Sequence, residues 1–258
     1  VVSLLERQSR HKQRFTNARN TVQARSRILL PSLQASLACA FCGVIFFIGF
    51  LLPIGQLLLW AIPHLSSGLT DQFWRYMLGS LSLSLLAMTI ITAFALLLAF
   101  AARTQNSYLA NWSVKISTLG YALPGTVLAV GLLAPIAAID HYLARLGFAA
   151  PILQGSIVVM LLAYSVRFMA VAFSPIENNL LRVTPSIDAA SRSLSVSGLS
   201  MLWRVHFPMI RVGVLTAMVL VFVDVMKELP ITLMTRPFGF NTLAVRIYEL
   251  SSEGLWQR

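Results

Sequence analysis

The chain has 258 residues, 57% hydrophobic and only 11% charged, with a net charge of +11 and a mean hydropathy of +0.75, whereas a soluble domain is about 25% charged. No Asp, Glu, Lys or Arg falls within residues 28–70, 76–102, 116–139 or 146–166, and about 20 apolar residues suffice for a helix to cross the hydrocarbon core. A soluble enzyme, a disordered tail and a disulfide-stapled secreted domain are thereby excluded together, and the prediction is an all-α, polytopic membrane bundle.

Residues 1–32 read as a basic cytoplasmic linker. Val1, Val2, Leu4 and Leu5 resemble the tail of an earlier helix, and with the non-Met start they suggest a piece of a longer polypeptide. Arg7, Arg10, Lys12, Arg14, Arg19, Arg25 and Arg27 follow, as the positive-inside rule expects beside a span. Attraction to anionic lipid suits this run better than nucleic acid does. The apolar stretch after Arg27 is too long for the core of a signal peptide.

The first span is predicted within 33–62, kinked near Pro53 and Gly55, with a loop at Pro63, Ser66, Ser67 and Gly68. Phe73, Trp74 and Tyr76 form an interfacial aromatic cluster before a second span over 77–102, where Ser80 and Ser84 invite close helix packing. Residues 103–115 read as a short cytoplasmic loop. A third span is expected over 116–139, able to bend at Pro124 and Gly125, and a fourth over 152–174.

Residues 175–208 are more polar and read as a cytoplasmic helix-turn-helix. Thr184 and Pro185 mark a helix start, Ile187, Ala190 and Leu194 share a face, and Ser197 and Gly198 end the helix. A second short helix is predicted from Leu199 to Phe207, stopped by Pro208. The fifth span covers 209–227, and 231–258 contains no apolar window long enough to cross. Thirteen basic residues lie on the side of the N-terminus and the 175–208 segment, against Arg75 and Arg145 on the other before residue 228, which places the N-terminus in the cytoplasm.

No acid, base and nucleophile converge on one helix face, so no catalytic residue is assigned. His11, His64, His141 and His206 are scattered, Cys39 and Cys42 read as packing residues, and neither a metal cluster nor a Gly-rich phosphate loop is visible. Charges at membrane depth are the better clue. Arg167, two turns from the predicted cytoplasmic end of its span, reads as snorkelling or as pathway lining. Asp224, Lys227 and Glu228 read as an interfacial charge group or as the lining of a polar cavity.

Residues 187–208, Ile-Asp-Ala-Ala-Ser-Arg-Ser-Leu-Ser-Val-Ser-Gly-Leu-Ser-Met-Leu-Trp-Arg-Val-His-Phe-Pro, resemble the cytoplasmic EAA loop of ABC importer permeases. Anchored on Pro208, Ala189, Ala190 and Ser191 take the Glu-Ala-Ala positions. Ser195 takes the glycine position and Val205 and Phe207 the Ile and Leu positions, while the acidic residue, Asp188, stands one place early. Two further stretches, Leu123 to Gly131 and Lys227 to Ala244 continuing through Arg246, Tyr248 and Glu249, resemble ferric-iron importer permeases. In that family one polypeptide commonly carries two six-helix halves, and this chain looks like the second half without its final helix.

The resemblance implies a MetI-like, type I importer permease of the bacterial inner membrane. A periplasmic binding protein would deliver cargo, and a dimer of cytoplasmic ATP-binding subunits would hold ATP and Mg, leaving no cofactor on this chain. The other permease half would complete the pathway. Coupling to the ATPase then falls to Ile187, Asp188, Ala189, Ala190, Leu194, Ser195, Leu199 and Pro208. Translocation falls to Asp224, Lys227, Glu228, Arg236 and Arg167. Iron(III) is the implied cargo. The same machine carrying thiamine, a phosphonate or a polyamine, an ion-coupled secondary transporter, and a structural subunit are the rival readings.

Overall fold

The computed structural model describes residues 30–64, 70–105, 107–148 and 151–255. Most of the basic linker, with its seven cations, and the predicted loop residues Ser66, Ser67 and Gly68 lie outside them. Among the described residues there are helices and turns but no strand, and five helices are long and apolar enough to cross a membrane. The chain divides into two units, residues 1–60 and 61–258.

The first unit contributes α1, Ser32–Ala61, an apolar helix with no buried residue. The kink predicted near Pro53 takes the form of a π-helical segment, Phe47–Leu51, ending two residues before that proline. A proline removes one N–H and crowds the carbonyl four residues back, and a wider turn relieves both.

The second unit begins with α2, Asp71–Gln105, longer at both ends than the predicted span. Asp71 in its first turn and Arg103 in its last complement the helix dipole, so the charged ends belong to the helix. The predicted loop at 103–115 is instead largely helical. Ser107 accepts a hydrogen bond from the amide of Ala110 and starts α3, Tyr108–Thr118. A 3-10 turn, Leu119–Ala122, and extended Leu123 follow, before α4, Gly125–Arg145. The third span is therefore α4 itself, shifted from the predicted 116–139, and the chain breaks before it rather than bending within it, because Pro124 forces the preceding residue out of helical geometry.

Helix α5 is Ile157–Leu180, shifted toward the C-terminus from the predicted 152–174. Its start is fixed by Ser156, which caps the amide of Val159, and by Asp140. The buried Asp140 carboxylate accepts the amides of Ile152, Leu153 and Gln154 at 2.8–3.2 Å, folding those residues into a turn. Arg167 thus lies thirteen residues from Leu180, about 20 Å along the axis and not two turns.

Helix α6, Pro185–Ser193, follows with Thr184 and Pro185 at its start. The predicted second hairpin helix is the beginning of the fifth span. Gly198–Met201, a π segment Leu202–His206 and Phe207–Met226 run on as α7, Gly198–Met226, and Pro208 does not stop it. Here too the π segment ends two residues before the proline. Two short helices close the described chain: α8, Pro230–Thr235, and α9, Leu243–Ser252.

Helices α2, α5 and α7 pack together as the core of this unit. Ser80, Ser84, Ala87, Ile91, Ala95 and Ala99 form a mostly small, buried stripe on α2 at helical spacing. Tyr164, Phe168, Ala172 and Ile176 line α5, and Ile210, Val214, Ala217 and Val221 line α7. In lipid, such small-residue faces let helices approach closely enough for dispersion contacts to hold them.

Candidate functional site

Two polar clusters stand out, one at the end of the bundle that carries α6 and one at the break between α3 and α4. At the first, the Asp188 carboxylate is buried. Its Oδ2 accepts from Arg103 Nε at 3.1 Å and Nη2 at 2.9 Å, and its Oδ1 accepts from His206 Nε2 at 2.8 Å. A carboxylate only accepts, so Nε2 carries the proton. Arg103 also donates to the carbonyls of Leu180 at 2.7 Å and Val183 at 2.8 Å, two groups left over where α5 ends. The His206 ring is fully buried, edge-on to Phe100, and its Nδ1 has no hydrogen-bond partner.

Around this lock the residues expected to couple divide into two faces. Asp188 and half-buried Ile187 face the bundle, whereas Ala189, Ala190, Leu194, Ser195 and Leu199 are exposed, Leu194 at 77%. Pro208, also exposed, lies inside α7. At the end of α6 the amide of Ser195 bonds to the Arg192 carbonyl at 3.0 Å, and that of Val196 to the Ser191 carbonyl at 2.9 Å. This is a Schellman closure with Ser195 at φ 60°, the left-handed position where glycine is the usual occupant. It is the position that aligns with the glycine of the resembling motif.

At the second cluster, the 3-10 turn before α4 passes close to α5. A Cβ on Gly120 would lie 2.0 Å from the Val166 carbonyl oxygen, so no side chain fits. Arg167 donates through Nη1 to the Leu123 carbonyl at 2.6 Å, taking up a backbone acceptor freed by the break, and its Nε lies 3.5 Å from Glu228 Oε2. Gly125 is the floor of this ion pair, since a Cβ there would sit 2.8 Å from Glu228 Oε1 and 3.5 Å from Arg167 Cζ. Glu228 Oε1 also accepts the amide of Ile231 at 3.4 Å, at the start of α8. Thr232 donates to the Glu228 carbonyl at 2.6 Å. That leaves its hydroxyl oxygen to accept from Tyr164, also at 2.6 Å.

Of the five residues expected along a pathway, only Arg167 and Glu228 meet at this break. Asp224 pairs with Lys227 at 2.9 Å, and this hydrogen bond to the carboxylate pushes the Lys227 ammonium pKa up. Arg236 turns away to Asn241 and to Glu249 at 3.4 Å, which also pairs with Arg246 at 3.5 Å. That group braces the segment between α8 and α9, itself held to α2 by the Leu243 amide on Ser80 Oγ at 2.8 Å. Arg103, His206, Asp140, Tyr164 and Thr232 were not anticipated. Arg103 and Asp140 alone carried a signal, each as the first charge after a long apolar run. Among the described residues there is no His, Cys, Asp and Glu grouping fit for a metal, and Cys39 and Cys42 are free thiols on α1.

No protein-family model matches the chain. It is 27% identical over 220 residues to the Fe(3+)-transport system permease protein FbpB 2 of Haemophilus influenzae, covering 84% of this chain and 42% of that protein. It is 25% identical over 228 residues to the putative 2-aminoethylphosphonate transport system permease protein PhnV of Salmonella typhimurium, covering 82% of each. The chain thus spans under half the length of the first relative and most of the second. Among solved structures it matches a chain of a bacterial alginate ABC transporter in complex with alginate pentasaccharide-bound periplasmic protein. The TM-score is 0.67 at 15% identity, over 87% of this chain and 85% of that one, so the all-α polytopic bundle is an ABC transporter permease fold.

Proposed function

We propose that this chain is the permease part of an ATP-driven, binding-protein-dependent importer of the bacterial inner membrane, and that its cargo is iron(III). The observation that carries the reading is α6, a nine-residue helix locked to the bundle on one side through Asp188 and bare on the other at Ala189, Ala190 and Leu194. Such a face suits a groove on a soluble motor subunit. The excess of basic residues at this end favours a cytoplasmic position, with the N-terminus on the same side. A periplasmic binding protein would then dock at the opposite end, where Asp140 shapes the turn before α5. ATP and Mg would belong to the ATP-binding dimer, and no catalytic group is assigned to this chain. Similarity to FbpB 2 favours iron(III) over the 2-aminoethylphosphonate named for PhnV.

The test is to purify the full-length protein in detergent and measure ATPase turnover with binding protein loaded with iron(III) or, in parallel, with 2-aminoethylphosphonate. Co-purification of an ATP-binding subunit and stimulation by the iron-loaded protein alone are expected. Stimulation by the phosphonate alone would transfer the cargo assignment. Uptake that continues without ATP and collapses with the proton gradient would replace the importer by an ion-coupled transporter. Ala190→Glu places a charge on the bare face. It should abolish stimulated turnover while leaving membrane insertion intact, and unchanged stimulation would remove α6 from the coupling interface.

A further inference from the structure

Asp188 is the acidic residue of the segment that resembles the coupling loop, yet its carboxylate points into the bundle, away from the bare face of α6. One guanidinium joins α2 to the last carbonyls of α5 and to α6. The same carboxylate is held from the other side by a histidine at the start of α7. We propose that Arg103, Asp188 and His206 form a strut that makes α6 move as one body with the ends of α2, α5 and α7. They are positioning residues for coupling, and this role rests on the importer reading above.

Three features support a strut over simple anchoring. Its bonds are directional and charge-assisted, so they resist the sliding that an apolar patch would allow. Arg103 spreads its donors over a carboxylate and two carbonyls in a planar fork, which the single ammonium of a lysine cannot reproduce. His206 is fully buried with Nδ1 unpartnered, so the polar function of this ring is the one bond to Asp188, whereas an apolar side chain would serve packing alone. A buried pair of this kind is costly to break, so a push on α6 passes to three membrane helices rather than being absorbed at the joint.

The experiment uses the full-length chain with its ATP-binding subunit in lipid nanodiscs or vesicles, with binding protein carrying iron(III). Recruitment of the subunit, melting temperature and iron moved per ATP hydrolysed are read for Asp188→Asn, Arg103→Lys, His206→Gln and the double variant Asp188→Asn with Arg103→Lys. Arg103→Lys and His206→Gln keep part of the donor set, and carry the test where Asp188→Asn gives too little folded protein. Expected is full recruitment with iron per ATP down at least fivefold in each single variant, and a double variant no worse than its worse parent, as for residues acting as one unit. Lower melting temperatures with unchanged iron per ATP in the folded fraction would overturn the strut. Loss of recruitment in Asp188→Asn but not in Arg103→Lys would make Asp188 a docking contact instead, also overturning it. An unchanged chain that recruits no ATP-binding subunit would remove the importer reading, and the coupling role with it.

Discussion

Single atoms decide how closely two elements can approach. Gly120 lies against the Val166 carbonyl, where even a methyl group would fall at 2.0 Å from the oxygen. Because the obstacle is backbone, no rotamer change relieves it. Gly120→Ala is expected to cost about 3 kcal/mol, seen as a clear fall in melting temperature in detergent, and an unchanged midpoint would show that the 3-10 turn Leu119–Ala122 can back away from α5. Ser195 poses the opposite case, a side chain retained at φ 60° where the Schellman closure favours glycine. The motif alignment had marked that position as glycine-like. Gly120 carried no such mark, because a glycine in an apolar run looks the same whether it faces lipid or a neighbouring carbonyl.

The helices themselves were largely legible, since apolar runs of bilayer length between charges have one solution. Their ends were less so, and each miss has a local cause. Polar Asn111, Ser113 and Lys115 read as a loop because they lie outside the apolar window, yet Ser107 caps them into α3. Pro208, the last residue of the motif, read as a stop because proline breaks helices, yet a π segment lets the helix pass. The site was half visible. Arg167 and Glu228 were marked by the cost of charge at depth, but their meeting at the break before α4 depends on contacts between residues 44 and 61 positions apart. With side chains 20% and 9% exposed, this pair is buried enough for a lone survivor to be costly. Glu228→Gln should destabilise by about 3 kcal/mol. The joint change Arg167→Met with Glu228→Leu should do less harm to stability while still altering transport. Equal destabilisation by the single and the joint change would mean the charges contribute little to one another.

Taken as a whole chain, the basic end and the opposite end make a prediction about sidedness. With Cys39 and Cys42 replaced by serine, Leu194→Cys should react with a membrane-impermeant maleimide in inside-out vesicles, and Leu146→Cys in right-side-out ones; the reverse pattern would invert the proposed orientation. Both side chains are exposed, at 77% and 58%. The continuity of α7 then acquires a mechanical meaning. Only residues 194–197 separate α6 from a 29-residue helix about 43 Å long. That helix is packed into the core with α2 and α5 from Met201 to Val225. It is a push-rod: a displacement delivered at Gly198 would carry the whole beam, together with the helices it is bound to. Asp224, Lys227 and Glu228, at the other tip, would then travel in the same sense.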